Sequence, residues 1–197
     1  VYEGIGSPIA PAELTWSLIM ASSRNLFSYI SNLSLNNKWQ NSGNLGLGRT
    51  LNTLTIGIWG YGKIGQRIAK YAKAFDMNVL VWGSENSRNL AEKHGFLAAC
   101  SKEELFSKSD ILTLHLRLSE TTKECVKKSD LELMKKDSLF VNTSRSLLLE
   151  KDALYYEMKS NVSKRAAVDV YDFEPLSKEN EKLLTLKNVI CSPHLGY

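Results

Sequence analysis

Two sets of residues in this 197-residue chain have the types and spacing to do chemistry: a glycine turn and a few ionisable side chains. The turn is Gly60-Tyr61-Gly62-Lys63-Ile64-Gly65, and it sits between the apolar run Leu54–Trp59 and an amphipathic stretch from Lys63. In a strand–turn–helix setting the first glycine permits a tight turn. The second lets a pyrophosphate approach the backbone, and the third lets the helix pack close to the strand. The helix N-terminus adds free N–H groups and a partial positive charge. Binding of a nicotinamide dinucleotide is the chemistry expected there; without the setting, the same glycines make an ordinary turn. The ionisable residues are Arg145 after Val141-Asn142-Thr143-Ser144, Asp169 in Ala167-Val168-Asp169-Val170 with Glu174-Pro175 just beyond, and His194 after Cys191-Ser192-Pro193. Singly they are a surface arginine, loop acids and a structural histidine. Together, at the ends of successive strands of one nucleotide-binding sheet, they make a site.

A second feature bears on the cofactor. In NAD-binding units an acid near the end of the second strand accepts hydrogen bonds from the adenosine ribose. Here that strand ends Val81-Trp82-Gly83-Ser84-Glu85, and Gly83 stands at the acid's position. It offers no carboxylate to grip the ribose and none to repel a 2′-phosphate. Ser84, Asn86, Ser87 and Arg88 are at hand for a phosphate, and Glu85 for the ribose. NAD and NADP both stay open.

Such residues need a frame. Apolar runs of strand length occur at Leu54–Trp59, Asn78–Trp82, Phe96–Ala99, Ile111–His115, Leu139–Asn142, Ala166–Val170 and Val189–Ser192. Between them, helical patterns cover Lys63–Phe75, Ser87–His94, Lys102–Ser107, Ser129–Lys135 and Lys151–Lys159. Ser129 is the expected N-cap of its helix, with Glu132 as capping-box partner. Pro8–Leu33 reads as one long helix. Asn36–Gly48 reads as a connector: its Gly43, Gly46 and Gly48 precede a strand, and no Gly-Lys-Ser/Thr follows. Short apolar strands alternating with helices predict an α/β fold, a Rossmann-type doubly wound parallel sheet with helices on both faces. Ligands of such sheets bind outside the carboxyl ends of the strands.

Composition narrows the classes. With 43% hydrophobic and 23% charged residues the chain is an ordinary globular one. A net charge of +4 suits an anionic ligand, but Lys and Arg are interspersed with acids, which argues against nucleic acid. Cys100, Cys125 and Cys191 lie far apart outside any CxxC pattern, so buried free thiols in a reducing, cytoplasmic compartment are expected. His94, His115 and His194 show no metal spacing, so no metal is expected. No apolar run approaches the ~18 residues of a membrane span, and no signal peptide is visible. A start at Val1 and a stop at Tyr197, directly after a strand, lead us to expect a piece of a longer protein.

The segments GYGKIG, HLRLSETT, VNTSR, AAVDVYDFEP and SPHLG, in that order, resemble the D-isomer-specific 2-hydroxyacid dehydrogenase family over essentially the whole chain. The opening GSPIAPAELTW is similar to that family's linking helix. The resemblance implies reversible reduction of a 2-oxo acid to a D-2-hydroxy acid, with Arg145, Glu174 and His194 catalytic. It implies that Gly60, Gly62, Lys63, Ile64 and Gly65 seat the pyrophosphate and that Gly83 and Ser84 lie by the ribose. Asp169 holds the nicotinamide carboxamide, and Thr122, Thr143, Ser144, His194 and Gly196 line the cofactor. Residues 1–34 become a linking helix and 35–197 the dinucleotide-binding domain. The substrate domain is then largely absent, and the fragment alone inactive or weak. A homodimer through Pro8–Leu33 is implied for the full enzyme.

The chemistry suits those roles. The cofactor carries the hydride, so the protein has to bind, orient and manage one proton. An arginine fork matches a carboxylate and a neighbouring carbonyl oxygen. A histidine can exchange a proton near neutral pH, and an adjacent carboxylate favours its charged form. Three positions depart from the family's pattern: Ser146 replaces a glycine, Arg117 a proline and Gly83 an aspartate. Arg117 puts the usual shape of its loop in doubt. A non-enzymatic NAD-sensing module, like the corepressors resembling this family, is the alternative. The ordered Arg145–Glu174–His194 set argues against a domain from an unrelated reductase.

Overall fold

Short, mostly apolar strands that alternate with helices give a sheet with no face left for water. The computed structural model describes residues 6–40, 46–177 and 179–197, and it contains such a sheet. Its strands are β1 (Thr55–Trp59), β2 (Asn78–Trp82), β3 (Leu97–Ala98), β4 (Ile111–Leu114), β5 (Leu139–Asn142), β6 (Arg165–Val168) and β7 (Val189–Cys191). The helices are α1 (Ile9–Ser23), α2 (Leu26–Asn36), α3 (Lys63–Ala74), α4 (Glu85–Lys93), α5 (Lys102–Lys108), α6 (Lys128–Leu133) and α7 (Ala153–Ser160). The spatial order is β3-β2-β1-β4-β5-β6-β7, with all pairs parallel.

Alternation along each strand sorts its side chains into two cores. Ile56, Ile58, Val79, Val81, Ile111, Leu139, Val141 and Ala167 meet Ala12, Leu18 and Ile19 of α1 and Ile68 and Ala72 of α3. On the other face Trp59, Leu80, Leu112, Leu114, Phe140, Ala166 and Val168 meet α5, α6 and α7 through Phe106, Leu131 and Met158. Period-2 burial on both sides is what a doubly wound sheet requires.

Several boundaries differ from the sequence reading, each for a local reason. The expected single helix at Pro8–Leu33 is two. Asn25 adopts a left-handed φ of 53°, and the Arg24 and Asn25 amides close onto Met20 and Ser22 carbonyls. Asparagine tolerates that conformation, so an apolar pattern that continues across it does not keep the helix continuous. The connector starts later, because α2 runs to Asn36; Gly43 lies outside the described residues. Helix α6 starts before Ser129. The Asp130 carboxylate accepts the Lys127 N–H at 2.7 Å and is paired with Lys102 at 2.8 Å. Helix α4 starts at Glu85, where the Ser84 hydroxyl accepts the Ser87 N–H at 3.3 Å. Asp152, at φ 60°, delays α7 to Ala153. Strands β4 and β6 stop one and two residues early, at Leu114 and Val168, while the His115 and Asp169 amides still donate to the Trp59 and Asn142 carbonyls at 2.8 and 3.1 Å.

Among the described residues no helix is long and apolar enough to cross a membrane, and no His, Cys, Asp and Glu cluster could hold a metal. The cysteines are free, as expected; Cys125 and Cys191 are half-buried, whereas Cys100, expected buried, is exposed.

Candidate active site

Strands β1 and β4 are neighbours from which the chain leaves in opposite directions, to β2–β3 and to β5–β7. Loops diverge at such a point and leave a crevice at the carboxyl edge. The glycine turn lies there. Gly60 has φ +100°, its N–H donates to the Trp82 carbonyl at 2.9 Å, and a Cβ on it would collide with the His115 carbonyl. A Cβ on Gly65 would collide with the Gly60 carbonyl, so α3 can approach the turn this closely only with glycine there. Gly62 is the opposite case: nothing lies within 4 Å of where its Cβ would be. Gly62, Lys63 and Ile64 form the start of α3, with Gly62 and Lys63 exposed. Two glycines that forbid a side chain, and a third beside open space at a helix N-terminus, fit a pyrophosphate.

At the end of β2, Gly83 borders this turn; its Cβ would sit 3.8 Å from the Gly60 Cα and 3.3 Å from the Ser87 Cβ. The Ser84 and Ser87 hydroxyls are 3.2 Å apart. The Arg88 guanidinium lies over the Trp82 ring, 4.6 Å from its centroid.

Beyond β4, the loop containing Arg117 has a defined shape. Thr122 Oγ1 donates to the Arg117 carbonyl at 2.7 Å and accepts the Ser119 N–H at 2.8 Å. Thr122 therefore organises this loop. His115, at the root of the loop, is held at Nε2 by Thr113 Oγ1 at 3.1 Å, while its buried Nδ1 has no partner among the described residues. Burial pushes its imidazole down to about 3, so the ring is neutral.

After β5, Asn142 shapes the turn: its Oδ1 accepts the Ser144 N–H at 3.0 Å and its Nδ2 donates to the Arg145 carbonyl at 2.9 Å. Ser144 Oγ donates to the Leu114 carbonyl at 2.6 Å, and the Thr143 and Thr15 hydroxyls share a hydrogen bond of 2.7 Å. Arg145 is exposed, with Nη1 donating to the Ser144 carbonyl at 2.6 Å.

The densest bonding follows β6 and β7. Asp169 is fully buried, and its carboxylate accepts from Ser192 Oγ at 2.5 Å, from the Leu195 N–H at 2.9 and 3.0 Å, and from the Gly196 N–H at 3.0 Å. Those bonds pin the segment that carries His194. Tyr171 adds a second fastening, since its hydroxyl bridges the Val168 and Ser192 carbonyls at 3.0 and 2.8 Å. His194 has a left-handed φ of 50°. Its Nδ1 lies 2.7 Å from Glu174 Oε2, and its ring stacks on Tyr197 at 4.9 Å. Glu174 is held in turn, with Oε1 accepting the Tyr171 N–H at 3.2 Å. Bonding at Nδ1 leaves Nε2 as the free ring nitrogen.

The structure brings some of the residues singled out in the sequence into direct contact, in three groups. Gly60, Gly65 and Gly83 pack against one another; Asp169 binds Gly196; Glu174 binds His194. Arg145 stands apart, since its guanidinium bonds only to Ser144 among the described residues. Thr15, Ser192, Tyr171 and Tyr197 were missed. Ser192 and Tyr171 lie inside quoted motifs, but Thr15 meets Thr143 across 128 positions, and no local pattern shows that.

Known proteins resemble this chain over nearly its whole length. Residues 16–196 match the family model for the D-isomer specific 2-hydroxyacid dehydrogenase NAD binding domain. D-3-phosphoglycerate dehydrogenase of Methanocaldococcus jannaschii is 36% identical over 96% of the chain, which covers 35% of that enzyme. Glyoxylate reductase of Aeropyrum pernix is 34% identical over 94% of the chain, which covers 56% of it. The crystal structure of a phosphoglycerate oxidoreductase from Vibrio cholerae superposes with a TM-score of 0.95 at 59% identity, covering 100% of this chain and 62% of that one. The chain spans about a third to three-fifths of the proteins it matches.

Proposed function

The chain belongs to the D-isomer specific 2-hydroxyacid dehydrogenase family as an NAD-binding domain, and from that premise we propose that the whole enzyme interconverts a 2-oxo acid and a D-2-hydroxy acid. The observation that carries this reading is the Glu174–His194 pair, 2.7 Å apart, on a segment stapled by Asp169 at the sheet edge that carries the glycine turn. A bound nicotinamide would supply the hydride. Gly60, Gly62, Lys63, Ile64 and Gly65 would hold its pyrophosphate. Gly83 and Ser84 would border the ribose, and Thr122, Thr143, Ser144 and Gly196 would line the rest.

His194 Nε2 gives the proton to the substrate oxygen in reduction and takes it back in oxidation. Glu174 fixes the ring through Nδ1, which leaves one nitrogen for the substrate. Arg145, with no carboxylate partner among the described residues, turns its fork to the substrate carboxylate and carbonyl oxygen. Asp169 orders the backbone on which His194 sits, and the segment it fastens would border the carboxamide of a bound cofactor. In this reading residues 1–34 link to the substrate domain and 35–197 bind the cofactor, so the isolated piece turns over weakly.

Helix α2 supports a homodimer. It buries none of its residues, and it leaves Leu26, Phe27, Ile30 and Leu33 about half exposed on one element. Light scattering on the whole enzyme reads one copy or two. Free cysteines suit a cytoplasmic location, which fractionation checks. The decisive experiment on the chemistry is His194→Ala in the whole enzyme. Its kcat falls by roughly 10²–10⁴, the usual worth of acid–base catalysis, while cofactor affinity holds. An unchanged kcat removes His194 from the reaction.

A further inference from the structure

We propose that the adenosine end of the site is built for a 2′-phosphate, so that this protein takes NADPH in preference to NADH. The inference rests on the dinucleotide reading of the glycine turn and adds which dinucleotide enters it.

Four observations at the end of β2 converge on this. Gly83, on the rim of the turn, brings no carboxylate to the place where an acid would hydrogen-bond the ribose and repel a phosphate. Arg88 sits one helical turn beyond, and its guanidinium makes no ion pair among the described residues. It is stacked on Trp82, the last residue of β2, at 4.6 Å. Stacking holds the planar fork in place while leaving its edge donors available, which suits a phosphate better than a mobile lysine would. The Ser84 and Ser87 hydroxyls lie 3.2 Å apart at the start of α4. Of that first turn's amides the Ser87 N–H is capped by the Ser84 hydroxyl, and those of Glu85 and Asn86 carry the helix's positive end.

Glu85 is the opposing charge. It lies in the first turn of α4, where it favours the helix dipole, and it is exposed. Water and salt screen an exposed carboxylate, whereas a guanidinium in contact with a phosphate acts directly through charge-assisted bonds. The contact wins, and the balance at this corner is positive.

Calorimetry on the whole enzyme with NADPH and NADH tests the inference without using turnover. NADPH binds roughly tenfold tighter or more, as expected for added charge-assisted bonds. Arg88→Gln removes most of that advantage and leaves NADH within about twofold. Equal or tighter binding of NADH by the unaltered enzyme overturns the inference, as does an Arg88→Gln loss shared equally by both cofactors. Failure of both cofactors to bind overturns the reading of the glycine turn itself, and this inference with it.

Discussion

The two halves of the sheet's carboxyl edge are built by opposite means. On the β1–β2 side the site consists of missing side chains: Gly60 and Gly65 forbid a Cβ, and Gly62 borders open space. On the β6–β7 side it consists of side chains already engaged. Asp169 is filled by Ser192, Leu195 and Gly196, and His194 by Glu174. A group that binds a rigid, charged ligand part is best made of backbone, which needs no ordering. A group that moves a proton must be a side chain, and it has to be immobilised by others. The first kind is sensitive to added atoms and the second to removed ones.

That contrast can be broken at three places. The largest effect is expected from Asp169→Ala, which strands the Leu195 and Gly196 amides and the Ser192 hydroxyl. Bonds to a charged acceptor contribute about 1.5–3 kcal/mol each, so releasing the His194 segment should lower kcat roughly hundredfold or more. ADP, which reads the glycine half alone, should bind the variant within twofold by calorimetry. A kcat loss under threefold would show that the segment holds itself in place.

Next comes Gly65→Ala. Its methyl meets backbone at Gly60, not a side chain that can swing away, so α3 has to shift. Overpacking of this kind costs about 1–3 kcal/mol, visible as a lower urea midpoint, and ADP binding should weaken with it. Gly62→Ala has no neighbour within 4 Å to offend, so it should weaken ADP binding at an unchanged midpoint. Equal midpoints for the two variants would remove the distinction between a packing glycine and a binding glycine.

The smallest effect lies at the seam between the halves. Burial holds His115 at about 3, below the ordinary 6.5 that the unfolded chain shows. The unfolded state therefore binds the extra proton between those values. Stability is complete above pH ~6.5 and falls as the pH drops, by at most about 1.4 kcal/mol per unit. In His115→Gln that contribution should vanish, and Tm measured at pH 7 and 5 should differ less than in the parent. An identical drop would place the acid sensitivity elsewhere.

The same contrast explains what the sequence disclosed. The glycine turn was legible because its logic is local: strand, turn and helix follow one another within about ten positions. The strands were legible because burial on both faces leaves continuous apolar runs such as Val79-Leu80-Val81-Trp82. The fastening of His194 and the anchoring of α1 were not, since Asp169 reaches Leu195 across 26 positions and Thr15 reaches Thr143 across 128. Helix starts were misplaced where a backbone group was captured early, as Asp130 captures Lys127. The break at Asn25 was hidden because apolar spacing carries on through a single left-handed residue.

The Thr15–Thr143 hydrogen bond has a mechanical consequence. Helix α1 is clamped twice along the sheet: through Thr15 to the turn after β5, and through the Ser22 carbonyl to Arg165 at the start of β6, at 2.7 Å in both cases. The second clamp also reaches past the end of the helix: the same Arg165 Nη1 donates to Asn25 Oδ1 at 3.2 Å, so the break at Arg24 and Asn25 is itself held against the sheet.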